Sequence, residues 1–270
     1  MKYAVVNQTI GLLKNQPKED SENADEVLFG MNVEILNEAP NNWFYIRTHY
    51  NYEGYVNGND LIINDKISKR WEKEKNTVVI NSFADILNKP EGSGYQIATL
   101  TRGANLISTN EIFKRFIKVK LPDFKTGWIR KSFISGLKQS YDIKDEKNLR
   151  ENLEKAALSY LGTQYRWGGK TPCGIDCSGL CSMAYMLNGI IIYRDSKIKG
   201  GFPIKEISFN KLKKGDLIYF PGHVAMYLGN GDYIHSATSN DIVKVNSFNE
   251  NADNYNEYLA KSSKIFGSIF

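Results

Sequence analysis

Cys177 ends a glycine-rich, proline-containing loop, YRWGGKTPCGID from Tyr165 to Asp176, and opens a segment whose apolar residues, Leu180, Met183, Ala184 and Leu187, have helical spacing. Asp176 stands where an N-cap belongs, and Asn188-Gly189 marks the end. A thiol in the first turn of a helix meets unpaired backbone N–H groups and the positive end of the helix dipole, both of which favour negative charge. An ordinary thiol, with a pKa of about 8.5, is brought to about 3.5–7.5 in such surroundings when an imidazolium lies beside it. The spacing therefore predicts a thiolate nucleophile, and the same N–H groups can hold the oxyanion formed when it attacks a carbonyl.

A thiol nucleophile needs a base, and the chain has three histidines, His49, His223 and His235. The last two fall in consecutive strand-like segments, HVAMYLG and YIHSA, joined by a turn containing Asn230-Gly231. A two-residue Asn230-Gly231 turn would pair Gly229 with Asp232 and put the imidazoles on opposite faces of the hairpin. A three-residue loop, Gly229 to Gly231 with Gly231 left-handed, pairs Ala225 with His235 and brings His223 diagonally across on the same face. The odd-length loop is expected, with His235 orienting the His223 ring as the third member of a triad. Cys173 and Cys181 read as inert small apolar residues. Their spacing around Cys177 lacks a C-x-x-C pair, so no metal site is expected. His49, in a barrel strand, reads as structural.

The elements around these residues suggest an α+β domain over 145–270. From Asp145, Leu149, Leu153, Ala156, Ala157, Tyr160 and Leu161 share one helical face, with Gly162 as the stop. After Gly215, DLIYF joins the two histidine segments as a third strand. The preceding 137 residues are short β-type runs broken by Gly, Asn, Asp and Pro. At an offset of 73, Gly30 meets Gly103, Val33 meets Leu106, Trp43 meets Phe116, and Ile46 meets Val119; Gly54, Tyr55, Val56 and Leu61 meet Gly127, Trp128, Ile129 and Ile134. Each copy closes with the Gly-aromatic-β-branched pattern of bacterial SH3-like barrels. Two N-terminal SH3-like β-barrels are expected, over 1–64 and 76–137, with a charged connector at 65–75 that can form a short helix.

Composition narrows the partners. Thirty-five basic against 30 acidic residues leave a surplus of +5 without a basic-aromatic stripe, so no nucleic-acid partner is expected. No stretch approaches the apolar length of a membrane span, so no membrane insertion is expected. Met1 to Gly11 lacks a signal-peptide core, which points to a cytoplasmic protein, or a secreted one where a leader has been removed. Three clustered cysteines argue against a disulfide framework. A monomer is the default expectation.

Four blocks, Tyr165 to Gly169, Asp176 to Leu180, His223 to Gly229 and Tyr233 to Ala237, resemble in kind, order and spacing the signatures of NlpC-family cysteine peptidases. The resemblance implies a papain-like C-terminal domain without cofactor or metal, with peptidoglycan-derived stem peptides as substrates, cut between γ-D-glutamate and the diamino acid. Two barrels ahead of the peptidase resemble recycling members that act on peptides with a free N-terminal L-alanine. On that resemblance Cys177, His223 and His235 match the catalytic triad. Tyr165 matches a tyrosine near the oxyanion, and Trp167, Asp176 and Ser178 match pocket residues. Asp195 and Ser196 match the pair that meets the substrate ammonium group, and Tyr52 matches a tyrosine lent by the first barrel. Such enzymes often carry Glu after the first-barrel glycine, where this chain has Met31. A lytic enzyme acting on intact wall, a wall-binding protein with an inactive peptidase domain and an acyltransferase on the same fold stay open.

Overall fold

The computed structural model describes residues 2–270, apart from the side chain of Asn240. The chain divides into two compact units, one ending at Leu137 and the other running Lys138–Phe270. Among the described residues no helix is long and apolar enough to cross a membrane.

The first unit holds two antiparallel sheets of seven strands each. The first is built from β1 (Lys2–Val6), β2 (Ile10–Lys14), β3 (Asn23–Leu28), β4 (Asn32–Ala39), β5 (Trp43–Thr48), β6 (Glu53–Asn57) and β7 (Leu61–Ile63), in the order β3-β2-β6-β5-β4-β1-β7. After the helix α1 (Asp65–Glu74), the second comprises β8 (Thr77–Val79), β9 (Phe83–Leu87), β10 (Gln96–Thr101), β11 (Asn105–Phe113), β12 (Phe116–Lys120), β13 (Thr126–Arg130) and β14 (Ile134–Gly136). Its order, β10-β9-β13-β12-β11-β8-β14, is the first sheet's order repeated strand for strand. The second to seventh strands of the two sheets begin 73 residues apart, so the internal repeat extends well beyond the thirty or so residues over which side chains match. The shared glycines of β6 and β13 sit where strands cross closely: a Cβ on Gly54 would lie 2.9 Å from the Lys14 carbonyl, and one on Gly127 2.3 Å from the Ile86 side chain.

The charged connector does form a helix, capped by the Asn64 side chain, which accepts from Ile67 N–H. Its Trp71 is fully buried with Val5 of the first sheet and Ile107 of the second. The Trp71 indole N–H donates to the Gly30 carbonyl at 2.8 Å, so this aromatic body keeps its polar handle satisfied.

The second unit opens with α2 (Glu146–Leu158), followed by the short hairpin β15 (Lys170–Thr171) and β16 (Gly174–Ile175), then α3 (Cys177–Met186). Its sheet has six strands: β17 (Lys205–Ile207), β18 (Leu217–Phe220), β19 (His223–Gly229), β20 (Asp232–Ser236), β21 (Val243–Ser247) and, beyond α4 (Glu257–Lys261), β22 (Ile265–Ser268). The order is β17-β22-β18-β19-β20-β21, with the histidine strands toward one edge. Three of these strands, β17, β21 and β22, go beyond the expected set. The helix at α2 also stops four residues short of Gly162. Tyr160 is buried in the turn that follows, but Leu161 is half exposed and off the helical face assigned to it. Arg150 of α2 donates to Asp216 Oδ1 at 2.9 Å and to the Lys214 carbonyl at 2.6 Å, tying the helix to the entry of β18.

Candidate active site

Cys177 is the first residue of α3, and Asp176 is its cap: the backbone at Asp176 is extended and its Oδ1 accepts from Gly179 N–H at 2.6 Å. The same carboxylate accepts from Gly168 N–H at 2.9 Å and the Ser178 hydroxyl at 3.1 Å, which fastens the glycine loop to the helix start. Both oxygens also receive the Arg194 guanidinium, Nη1 on Oδ1 at 2.9 Å and Nη2 on Oδ2 at 3.0 Å. Arg194 donates further to Ser178 Oγ at 2.7 Å and the Gly169 carbonyl at 3.2 Å. Residue 179 has to be glycine for a local reason: a Cβ there would lie 2.2 Å from the Gly169 carbonyl.

The histidines reach one face by a route different from the expected odd-length loop. Asn230 and Gly231 form a two-residue turn, both with positive φ (54° and 89°), and Gly229 pairs with Asp232. Left alone, that turn would put the imidazoles on opposite faces. A one-residue register shift between Tyr227 and Gly229 inserts Leu228 as a β-bulge, and from there Tyr227 pairs with Tyr233 and Met226 with Ile234. Continued, this register sets Ala225 opposite His235, as expected, and His223 diagonally across. In the result, His223 Nε2 lies 2.9 Å from His235 Nδ1.

A third strand extends the line. Tyr233 pairs with Asn246 and His235 with Lys244, so Asn246 stands diagonally from His235 on the same face, and His235 Nε2 lies 2.9 Å from Asn246 Oδ1. Phe220, opposite His223, stacks on its ring at 5.8 Å, and Tyr233 meets the His235 ring edge-on at 5.3 Å. The Cys177 sulfur receives backbone N–H groups from Ser178 and from Val224, the residue after His223, which brings the thiol to the head of β19.

Burial corrects the expected thiolate. It pushes the Cys177 thiol up to about 11, helped by the Asp176 charge, and the N–H groups of Val224 and Ser178 with the Arg194 cation only partly offset it. The same burial, with His235 adding to it, lowers the His223 imidazole to about 3. Both shifts oppose charge, so the resting pair is a neutral thiol beside a neutral imidazole, and the proton moves when the attack begins. For kcat the sign follows. As pH falls, the base is lost only below the ordinary imidazole value of about 6.5; as pH rises, the proton needed by the leaving amine is lost only above the ordinary thiol value of about 8.5. At saturating substrate, where titration of the free peptide's own amine drops out, a plateau from about pH 6.5 to 8.5 is the expected profile of kcat, and an alkaline limb near pH 8 would contradict it.

Tyr165 is half-buried close enough to Cys177 and Asp176 for their charges to add to burial in raising its phenol to about 12. Ser178 lies in the first turn of α3, while Trp167 is 61% exposed. Asp195 and Ser196 are both partly buried directly after Arg194, with Asp195 hydrogen-bonded to the Tyr193 phenol. Tyr52 belongs to the first unit, half-buried in the turn between β5 and β6, where its N–H donates to Thr48 Oγ1 at 3.0 Å. Met31 is buried there, and β3 carries two buried carboxylates, Asp25 and Glu26, with the Tyr50 hydroxyl donating to Asp25 at 2.6 Å. His49 lies just past its strand, exposed against Tyr50. Cys181 is buried and Cys173 partly so. Sequence reasoning missed Arg194 and Asn246; the first could have been sought as the cation owed to a buried Asp176, and the second required β21.

A thiol at the start of a helix, served by an imidazole pair on an antiparallel sheet, defines a papain-like cysteine peptidase. Residues 162–261 match the NlpC/P60 family, and residues 13–61 match the bacterial dipeptidyl-peptidase Sh3 domain. Dipeptidyl-peptidase 6 of Lysinibacillus sphaericus is 42% identical over 270 residues, 99% of each chain. The chain belongs to the NlpC/P60 family of cysteine peptidases. Gamma-D-glutamyl-L-lysine dipeptidyl-peptidase of Bacillus cereus is 26% identical over 82% of this chain and 69% of its own length. The crystal structure of an NlpC/P60 family protein from Bacillus cereus shares the fold, with a TM-score of 0.78 at 20% identity over 97% of this chain and 98% of that one.

Proposed function

We propose that this peptidase hydrolyses the γ-D-glutamyl to diamino-acid bond of peptidoglycan stem peptides carrying a free N-terminal L-alanine, the reaction of wall-peptide recycling. The observation that carries the reading is the end-to-end likeness to a dipeptidyl-peptidase, both barrels included, in a chain that keeps Cys177, His223 and His235. His223 takes the thiol proton as Cys177 sulfur attacks the γ-glutamyl carbonyl, and the tetrahedral oxyanion is held by N–H groups of the first turn of α3. Collapse breaks the C–N bond, the amine leaves with the proton from His223, and water then hydrolyses the thioester to free the dipeptide and the thiol.

The ammonium group of the substrate is assigned to Asp195 with Ser196, because a terminal charge left unpaired in a closed cleft is costly. Tyr165, Trp167, Asp176 and Ser178 are assigned to the pocket beside the nucleophile, and Tyr52 of the first barrel is assigned a substrate-binding role. The barrels, over 1–64 and 76–137, serve to admit short peptides rather than cross-linked wall. A cytoplasmic address goes with this reading.

The buried Met31 favours a second reading. Without an acid at that position, selection for the free amine is relaxed and the enzyme can act on intact wall. Mass spectrometry of digests of L-Ala-γ-D-Glu-diaminopimelate and its N-acetylated form, with a lysine analogue and purified sacculi alongside, separates the two. Recycling predicts release of L-Ala-D-Glu from the free-amine peptide alone; equal cutting of the acetylated peptide or solubilised sacculi would replace it with wall lysis.

A further inference from the structure

We propose that Asn246 is a positioning residue that sets the tautomer of both site histidines and thereby decides which nitrogen of His223 acts as base. The proposal rests on the reading of Cys177 and His223 as nucleophile and base. Asn246 lies on β21, away from the thiol, and acts through His235.

The amide itself is held in one orientation. Its Nδ2 donates at 2.7 Å to the Asn254 carbonyl, which also accepts the Ser247 N–H at 2.9 Å. A carbonyl cannot donate, so the Asn246 amide nitrogen must face Asn254 and its oxygen must face His235. An amide oxygen can only accept, so His235 carries its proton on Nε2 across the 2.9 Å contact. Neutral imidazole has one N–H, and His235 Nδ1 is therefore a lone pair. That lone pair, 2.9 Å from His223 Nε2, requires a proton there. His223 Nδ1 is left bare, the nitrogen able to take a proton from Cys177.

Each step follows from the one before, and the chain begins at a backbone carbonyl that has no alternative state. Burial strengthens the constraint: His235 is fully buried and Asn246 is 6% exposed, so water is a poor substitute for a lost partner. With the acceptor removed, His235 can hold its proton on Nδ1, against His223 Nε2. His223 then keeps its own proton on Nδ1 and cannot serve as base.

The test uses the full chain. With three histidines in the sequence, 15N NMR of labelled protein resolves which ring nitrogens carry protons. Wild type is expected to show Nε2-protonated His223 and His235. Asn246→Leu should shift both toward Nδ1 protonation and lower kcat by roughly 10²-fold or more, as a wrong tautomer does, with KM little changed. Asn246→Asp restores an acceptor for His235 Nε2, so kcat should recover to within about tenfold of wild type, while repulsion from the Asn254 carbonyl lowers Tm.

Wild-type rings protonated on Nδ1, or a folded Asn246→Leu enzyme with unchanged kcat, would overturn the proposal. So would an Asn246→Asp enzyme as impaired as Asn246→Leu. Should Asn246→Leu fail to fold, the wild-type spectrum and the Asp variant decide. Failure of the underlying reading is separate: there, Cys177→Ala would cleave the peptide as well as wild type, whatever the tautomers.

Discussion

Cys177→Ala should lose peptide cleavage by a factor on the order of 10⁴ or more while keeping its fold. Covalent catalysis has no second route here: Cys181 is fully engaged in the core, where burial holds its thiol protonated, and Cys173 lies ahead of the helix in the loop. Removing one sulfur from a site 9% exposed costs about 1 kcal/mol, too little to unfold the unit. His223→Ala should fall nearly as far, because the thiol is pushed up to about 11 and is not ionised at neutral pH without a base. The two losses should not add, since either change removes the whole attacking unit. Steady-state kinetics on the stem tripeptide, with circular dichroism as the fold control, measures both. Appreciable turnover by a folded Cys177→Ala would remove the thiol mechanism, and an inactive wild type would leave a wall-binding protein.

Much of this site was legible because its logic is local. A cap, a thiol and a helix stripe occupy adjacent positions, and the histidines fall in one hairpin, so spacing alone brings three groups into range. The face on which they meet was legible too, since a shared site demands it. How the chain achieves that was not: the bulge at Leu228 leaves no mark in residue type, and a turn rich in Gly and Asn satisfies either loop length. Asn246 escaped because β21 (VKVNS) is short and follows a polar stretch, without enough apolar alternation to stand out as a strand.

The barrels show the opposite balance. Side-chain matches between the copies fade outside about thirty residues, yet strand starts keep the offset of 73 from β2 through β7, because loop lengths were retained while surfaces diverged. The thiolate expectation failed on the balance between two effects. A helix N-terminus favours negative charge, but nothing in the sequence reveals how completely the sulfur is buried, and burial outweighs the helix start.

Arg194→Met should strongly destabilise the second unit. The guanidinium is bidentate on Asp176, and the two side chains are 3% and 9% exposed, so removing the cation leaves a nearly buried carboxylate without its counter-charge. Breaking such a pair from one side costs about 3–5 kcal/mol, whereas replacing both partners with neutral groups is often tolerated. Thermal unfolding should therefore show Tm lowered by roughly 10 °C for Arg194→Met, with Asp176→Asn combined with Arg194→Met recovering part of that loss. Stability alone does not exhaust the effect. Arg194 also clamps Ser178 and the Gly169 carbonyl, and the next residues along are Asp195 and Ser196. A folded Arg194→Met should thus raise KM for the free-amine peptide as well as lower kcat, because one side chain sets both the helix start under the nucleophile and the segment proposed to hold the substrate ammonium. A change within about 0.5 kcal/mol, as at an ordinary surface position, would mean that the pair is solvated and positions neither.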